Sequence, residues 1–255
     1  MGKIRIFHNL RMIHLLTQKL HRIFRPRWLS GGVASLSFDD LCQSAYLQAF
    51  PLLEKYGFKA TWFVACDSVG TTDPNSCCKK YMTWDEINAV ALQNHEIGSH
   101  SLSHPRLSTL AGNQKLLLQE LQDSKKQIES MTSQKVDSFA YPFSDKGDAH
   151  GNVITLTGKI YKYCRCGDRD LNHWPFRLNA LFAWPLYEKF YDIEHTKNII
   201  DSCINNDAWL IFYTHDIEEK PSDFGCSPKY FENVLKYLTE SRVTVKPIGR
   251  VNNQG

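Results

Sequence analysis

The chain has 255 residues, 42% of them hydrophobic and 22% charged, a globular composition that excludes a disordered or fibrous protein. Its apolar runs, such as Trp62–Cys66 and Trp209–Tyr213, fall far short of the ~20 residues that cross a bilayer. The net charge of +3 is uneven: Lys3, Arg5, Arg11, Lys19, Arg22, Arg25 and Arg27 all precede the first acidic residue, Asp39, so the body is mildly acidic and carries no basic stripe for nucleic acid.

In chain order, Ile6, Leu10, Ile13, Leu16, Leu20, Ile23 and Phe24 recur at three- and four-residue steps and predict an amphipathic helix in a basic leader, residues 1–30. Charges interrupt its apolar residues throughout, so it has no uncharged core of a secretory signal. The expectation is a cytoplasmic chain whose eight cysteines are thiols; no CxxC pair suggests a zinc ribbon or redox motif. Two readings of the leader stay open. Residues 3–27 lie peripherally on the anionic inner face of a membrane, each basic side chain adding about 1 kcal/mol, or the helix packs on the body or on a second copy.

The body, residues 31–250, alternates strands and helices. Val33 to Phe38 reads as a buried strand, followed by a helix through Tyr46 to Tyr56 that Gly57 stops. Phe58 to Ala65 is the next strand. Thr83-Trp84-Asp85-Glu86 is a capping box opening a helix to about Asn94. Strand-like Glu96 to Ser99 precedes a long helix, Asn113 to Ser130. Strands are expected near Ser138 to Tyr141 and Lys162 to Cys166, a helix near Glu194 to Asn205, and a strand over Trp209 to Tyr213. Ser227-Pro228 starts a last helix to Ser241, and Val243 to Val245 closes the chain. Repeated strand–helix units imply a parallel sheet with helices outside, in which ligands meet the C-terminal ends of strands.

Four such ends carry polar or Pro-shaped residues: Asp39-Asp40, His100, Tyr141-Pro142 and His215-Asp216. Two adjoining carboxylates at a hydrophobic strand need solvent or a cation to offset their repulsion, unless one caps a helix. His100 and His104, four residues apart, are either a pair that shares one ion or two surface imidazoles. Pro105 disfavours a right-handed helical conformation at His104, so this is a loop turn. One carboxylate and two imidazoles with open positions form a common catalytic zinc shell, also suited to iron or cobalt. Asp168 to Trp184 is rich in aromatics and arginine, including Trp174 and Arg177, and reads either as a sugar-stacking, anion-pairing segment or as core packing. Tyr81 and Trp84 read as helix-entry packing.

Ser37-Phe38-Asp39-Asp40, His100-Ser-Leu-Ser-His104-Pro105, Phe139-Ala140-Tyr141-Pro142-Phe143 and Ile211-Phe212-Tyr213-Thr214-His215-Asp216 resemble, in order, the motifs of the polysaccharide deacetylase family, the NodB-homology carbohydrate esterases. The resemblance covers residues 32 to 246. It implies an α/β fold, a distorted (β/α)7-type barrel, here with an N-terminal amphipathic helical extension, and one divalent metal ion, usually zinc. Carried over by position, Asp40, His100 and His104 are its ligands, Asp39 the general base and His215 the general acid. Tyr141, Pro142 and Phe143 line the substrate and oxyanion side, the oxyanion donor being the Phe143 N–H, and Trp174 and Arg177 are added as substrate contacts. Two departures stand out. The third motif lacks its usual Arg, Ala140 or Tyr141 standing there, and Arg165, Arg169 and Arg177 are the replacement candidates. The Asp that pairs with the acid His has no clear match, Asp168, Asp170 and Asp207 being candidates.

The function so implied is removal of an N-acetyl group from an N-acetylated amino sugar. The absence of an export signal points to an intracellular nucleotide- or lipid-linked precursor of a surface polysaccharide or lipopolysaccharide. The rivals are hydrolysis of a non-sugar C–N bond (cyclic amide, ureide or formamide) and a catalytically silent sugar-binding protein.

Overall fold

In a computed structural model, residues 25–147 and 150–252 are described; the expected leader helix, whose apolar stripe ends at Phe24, lies outside them. Strand β1, Val33–Phe38, is buried at every position, as its near-continuous apolar pattern requires for a central parallel strand. Helix α1, Gln43–Tyr56, ends where Gly57 adopts a left-handed conformation, φ 70°, and closes the last turn onto Leu53 and Glu54. Next come β2, Thr61–Val64, and α2, Trp84–Leu92. The predicted capping box is formed: Glu86 N–H donates to Thr83 Oγ1 (3.3 Å), and Thr83 N–H donates to Glu86 Oε2 (2.8 Å). Strand β3, Glu96–Ser99, leads to α3, Gln114–Thr132, which buries Leu117, Leu121 and Ile128 on one face.

The chain continues through β4, Ser138–Ala140; α4, Asn152–Ile160; β5, Tyr163–Arg165; β6, Trp184–Pro185; α5, Ile193–Asn205; β7, Trp209–Thr214; α6, Pro228–Glu240; and β8, Thr244–Val245. Helix α4 and the two-residue β6 were not expected. All pairings between these strands are parallel, in the order β5-β4-β3-β2-β1-β7-β6, with β8 beside the start of β1. Residues 178–185 join the two ends of this order. Cys164 N–H and Cys166 N–H donate to the Leu178 and Leu181 carbonyls (2.6 and 2.8 Å), and Trp184 and Pro185 then pair with Phe212 and Tyr213 of β7. The barrel is a ring of seven strands plus a short eighth, irregular where that segment closes it.

The expectation that every cysteine is a thiol is overturned. Cys42, just after β1, is bonded to Cys78, their Cα atoms 4.6 Å apart; Cys66, Cys77, Cys164, Cys166, Cys203 and Cys226 are free. The loop before α2 folds back against Asp40–Gln43, with Met82 N–H donating to the Leu41 carbonyl (2.9 Å) and Gln43 N–H to the Lys80 carbonyl (2.8 Å). That contact, set by tertiary folding, brings the two sulfurs together across 36 residues. No helix among the described residues is long and apolar enough to cross a membrane.

Under the sheet, His95 is fully buried. Its Nδ1 accepts from Ala60 N–H and Trp62 Nε1–H (3.1 Å each), and its Nε2–H donates to Glu54 (2.8 Å). That geometry demands the neutral ring, and burial pushes its pKa down to about 4, with Glu54 opposing and Lys59 assisting. The unfolded chain therefore takes a proton near pH 6.5 that the folded chain refuses until about pH 4. Stability should be complete above pH 6.5 and fall as the pH drops from there toward 4, by on the order of 3 kcal/mol. Urea unfolding at several pH values checks this against His95→Gln, which should lose that part of the pH dependence.

Candidate metal centre and active site

The C-terminal ends of β1, β3 and β7 meet at one cavity of about 460 Å³, and Asp39, Asp40, His100, His104 and His215 all line it. His104 Nε2 lies 3.2 Å and His100 Nε2 3.5 Å from Asp40 Oδ1. Asp40 Oδ1 is buried and accepts no hydrogen bond. His100 Nδ1 is 2.7 Å from the Ala140 carbonyl, which can only accept, so Nδ1 carries the proton and the Nε2 lone pair faces Asp40. Burial pushes the His100 pKa down to about 4, the Asp39 charge only partly offsetting it, so the ring is neutral, the form a metal ligand needs. A carboxylate oxygen without a hydrogen-bond donor, facing the Nε2 atoms of two imidazoles, fits a divalent cation of the zinc class. Asp40, His100 and His104 would hold it.

The loops are bent into this arrangement. Asp40, Leu41, Ser101, His104, Phe143 and Ser144 have φ between 55° and 71°, six of the ten non-glycine residues in left-handed backbone among those described. Each such residue costs about 1–3 kcal/mol and persists only where surrounding contacts over-determine it. Those contacts are visible. His104 N–H donates to Ser101 Oγ (3.0 Å), Ser101 N–H to Ser99 Oγ (3.2 Å), and Ser103 N–H to Glu120 of α3 (2.6 Å). The loop turn expected from Pro105 is present, with His104 at φ 58°.

Asp39 is almost fully buried and paired with Arg165 of β5. The guanidinium is itself buried between the rings of Phe63 and Tyr213, 5.0 and 4.7 Å from their centroids. Burial would push the Asp39 carboxyl up, but Arg165, with His100 and His215, outweighs it and holds the carboxyl below its ordinary value. Of the three arginines offered for the missing motif arginine, Arg165 is the one the fold delivers; Arg169 donates to Tyr191 instead.

His215 Nε2 lies 3.9 Å from Asp40 Oδ2, while Nδ1 is 3.2 Å from the Phe224 carbonyl and 3.4 Å from Tyr187 Oη. Buried Asp216 accepts from the Ser222 N–H and hydroxyl (2.7 and 2.6 Å), folding the loop that returns Phe224 to His215. None of the three candidate aspartates reaches His215. Asp168 pairs with Lys146, Asp170 accepts from its neighbour Leu171 N–H, and Asp207 binds Arg25 and Gly31 N–H. A carbonyl and a phenol take the expected carboxylate's place.

Tyr141 and Phe143 line the cavity, although the Tyr141 hydroxyl points away to the Asn179 carbonyl (2.8 Å); Pro142 shapes the turn without lining it. Phe143 is 55% exposed, its ring 4.6 Å from that of His104. Trp174 and Arg177 are not at this site. Asn172 pairs with Trp209 at the start of β7, the opposite end from His215, and Trp174 packs there on Phe176, which packs on Trp209. Arg177 is exposed and does not line the cavity. Unanticipated lining residues are Ser76, Cys77, Tyr187, Tyr213 and Phe224, and Tyr81 joins them although it reads as helix packing. Tyr187 and Phe224 belong to no sequence motif; only their chain proximity to β6 and β7 hinted at them.

A family model described as polysaccharide deacetylase matches residues 29–160, just over half of the chain. The chain belongs to the polysaccharide deacetylase family. Within that family, the YxkH protein of Bacillus subtilis (strain 168) is 33% identical over 107 residues, 42% of this chain and 35% of that protein. A poly-beta-1,6-N-acetyl-D-glucosamine N-deacetylase of Staphylococcus epidermidis is 27% identical over 135 residues, 50% of this chain and 46% of that enzyme. The chain thus spans less than half the length of these curated relatives. Among solved structures, the Xyl-CE4 domain of a multidomain xylanase from the hindgut metagenome of Trinervitermes trinervoides superposes with a TM-score of 0.56 at 18% identity, covering 86% of this deacetylase-family chain and 89% of that domain. Peptidoglycan deacetylase PdaC from Bacillus subtilis gives 0.54 at 20% identity, covering 86% and 89%. These likenesses establish the fold. The family match stops before β7, so the place of His215 in the site rests on the geometry above.

Proposed function

We propose that this polysaccharide deacetylase-family chain is a metal-dependent hydrolase that removes the acetyl group from an N-acetylated amino sugar. The observation that carries the reading is Asp40 Oδ1, buried without a hydrogen-bond partner and facing the Nε2 atoms of two imidazoles. When bound there, a divalent cation of the zinc class would supply Lewis acidity toward the acetamide carbonyl and a water. Asp39, kept ionised by Arg165, takes a proton at its carboxylate from the attacking water, whose oxygen bonds to the acetamide carbon. The N–H of Phe143, a residue that lines the cavity, stabilises the carbonyl oxygen as it gains charge. The C–N bond breaks, and His215 gives a proton from Nε2 to the departing amine, its Nδ1–H anchored on the Phe224 carbonyl. Acetate and a free amino sugar leave.

The substrate's setting has two readings. The basic residues between 3 and 27 support a nucleotide- or lipid-linked precursor met at the inner face of a membrane. The Cys42–Cys78 disulfide, a bond that persists mainly in oxidising compartments, supports a polymer met outside the cytoplasm.

The test combines metal analysis of the purified chain with acetate release from N-acetylglucosamine conjugates and oligomers. One cation per chain with acetate released is expected, and His104→Ala should lose both. Ammonia or formate released in place of acetate redirects the reading to another C–N bond, and a chain without metal or turnover overturns it.

A further inference from the structure

Beside the carboxylate–histidine cluster sit three sulfurs that the proposed reaction does not use. Cys42, two residues beyond Asp40, is bonded to Cys78, and Cys77 is a free thiol that opens on the catalytic cavity. The Cys77 sulfur lies within 4.8 Å of the other two. Backbone contacts, apart from any sulfur bond, hold the triangle. Cys42 pairs with Tyr81, Gln43 N–H donates to the Lys80 carbonyl, Met82 N–H to the Leu41 carbonyl, and Cys78 N–H to Ser76 Oγ (3.1 Å). The other free cysteines, Cys66, Cys164, Cys166, Cys203 and Cys226, are buried, and no second sulfur triangle exists among the described residues.

We infer that Cys42, Cys77 and Cys78 form a thiolate site for a soft divalent cation of the zinc–cadmium class, open only when the disulfide is reduced and distinct from the Asp40–His100–His104 site. A thiol reductant supplies two electrons and two protons to the Cys42–Cys78 bond and leaves as its own disulfide. The cation then replaces three thiol protons and gains three sulfur ligands, the donor type that selects this class of metal. Cys42 and Cys78 are buried and Cys77 lines the cavity, so the ion enters past Cys77. In the oxidised chain Cys77 is the one thiol left in the triangle, and the site is closed. The inference does not depend on the hydrolase reading.

Cadmium titration of the full chain, with thiols counted before and after reduction, tests it. The oxidised chain should bind one Cd²⁺ without thiolate-to-metal charge-transfer absorbance. The reduced chain should bind two, the second accompanied by that absorbance. Reduced Cys77→Ser should bind the second ion at least ~10-fold more weakly, while His100→Ala/His104→Ala should lose the first ion and keep the absorbance. A reduced chain with no thiolate absorbance, an unchanged titration in Cys77→Ser, or a disulfide that a thiol reductant leaves intact under native conditions would each overturn the site. An oxidised chain that binds no ion, alongside a reduced chain that binds one through sulfur, would leave the sulfur site standing and remove the hydrolase reading instead.

Discussion

Asp39→Asn is expected to leave the cation bound and to lower kcat by ~10² to 10⁴, the range a general base contributes. The amide keeps the shape of the carboxylate and can still accept from Arg165, but it cannot take a proton. Because Asp39 is not part of the Asp40–His100–His104 group, metal content should not change. Elemental analysis beside steady-state acetate release decides the matter. Loss of metal from Asp39→Asn, with retention in Asp40→Asn, would exchange the roles of the two aspartates.

Arg165→Met should damage both stability and turnover. It leaves Asp39 buried without its foremost counter-charge, and removing one partner of a buried ion pair costs about 3–5 kcal/mol. With burial then less opposed, the carboxyl rises and the base is protonated over more of the acid range. Urea unfolding and acetate release measured on the same preparations give the two losses. Adding Asp39→Asn to Arg165→Met should restore part of the stability, because the stranded charge is gone, and none of the turnover. If the double variant is no more stable than Arg165→Met, the ion pair is not what holds that part of the core together.

The strands and helices that the sequence made legible are those with long or continuous patterns. The apolar run Val33–Phe38, the capping box before Trp84 and the Ser-Pro start of the last helix each carry a local signal that their surroundings reinforce. Helix α4 did not, because Thr155, Thr157 and Gly158 are weak helix formers and only tertiary packing sustains it. The carboxylates and imidazoles were legible as residue types at strand ends. Arg165 was a candidate among three because its partner lies 126 residues away, and spacing says nothing about which cation a fold delivers. Trp174 and Arg177 show the same limit from the other side: composition suggested a sugar contact, but the chain leaves β5 and descends to the far end of β7 before reaching them. The disulfide was hidden because neither adjacency nor parity of cysteines reveals a loop folding back on a strand end.

Residues 178–187 tie the proposed base to the proposed acid. Leu181 hydrogen-bonds to the strand that carries Arg165 (2.8 Å), Leu186 N–H donates to the Tyr213 carbonyl (2.8 Å), and Tyr187 reaches the imidazole of His215. The two proposed proton carriers therefore hang from one strap. With those roles, variation in this span should change turnover as a whole, leaving little freedom to retune one proton step while sparing the other.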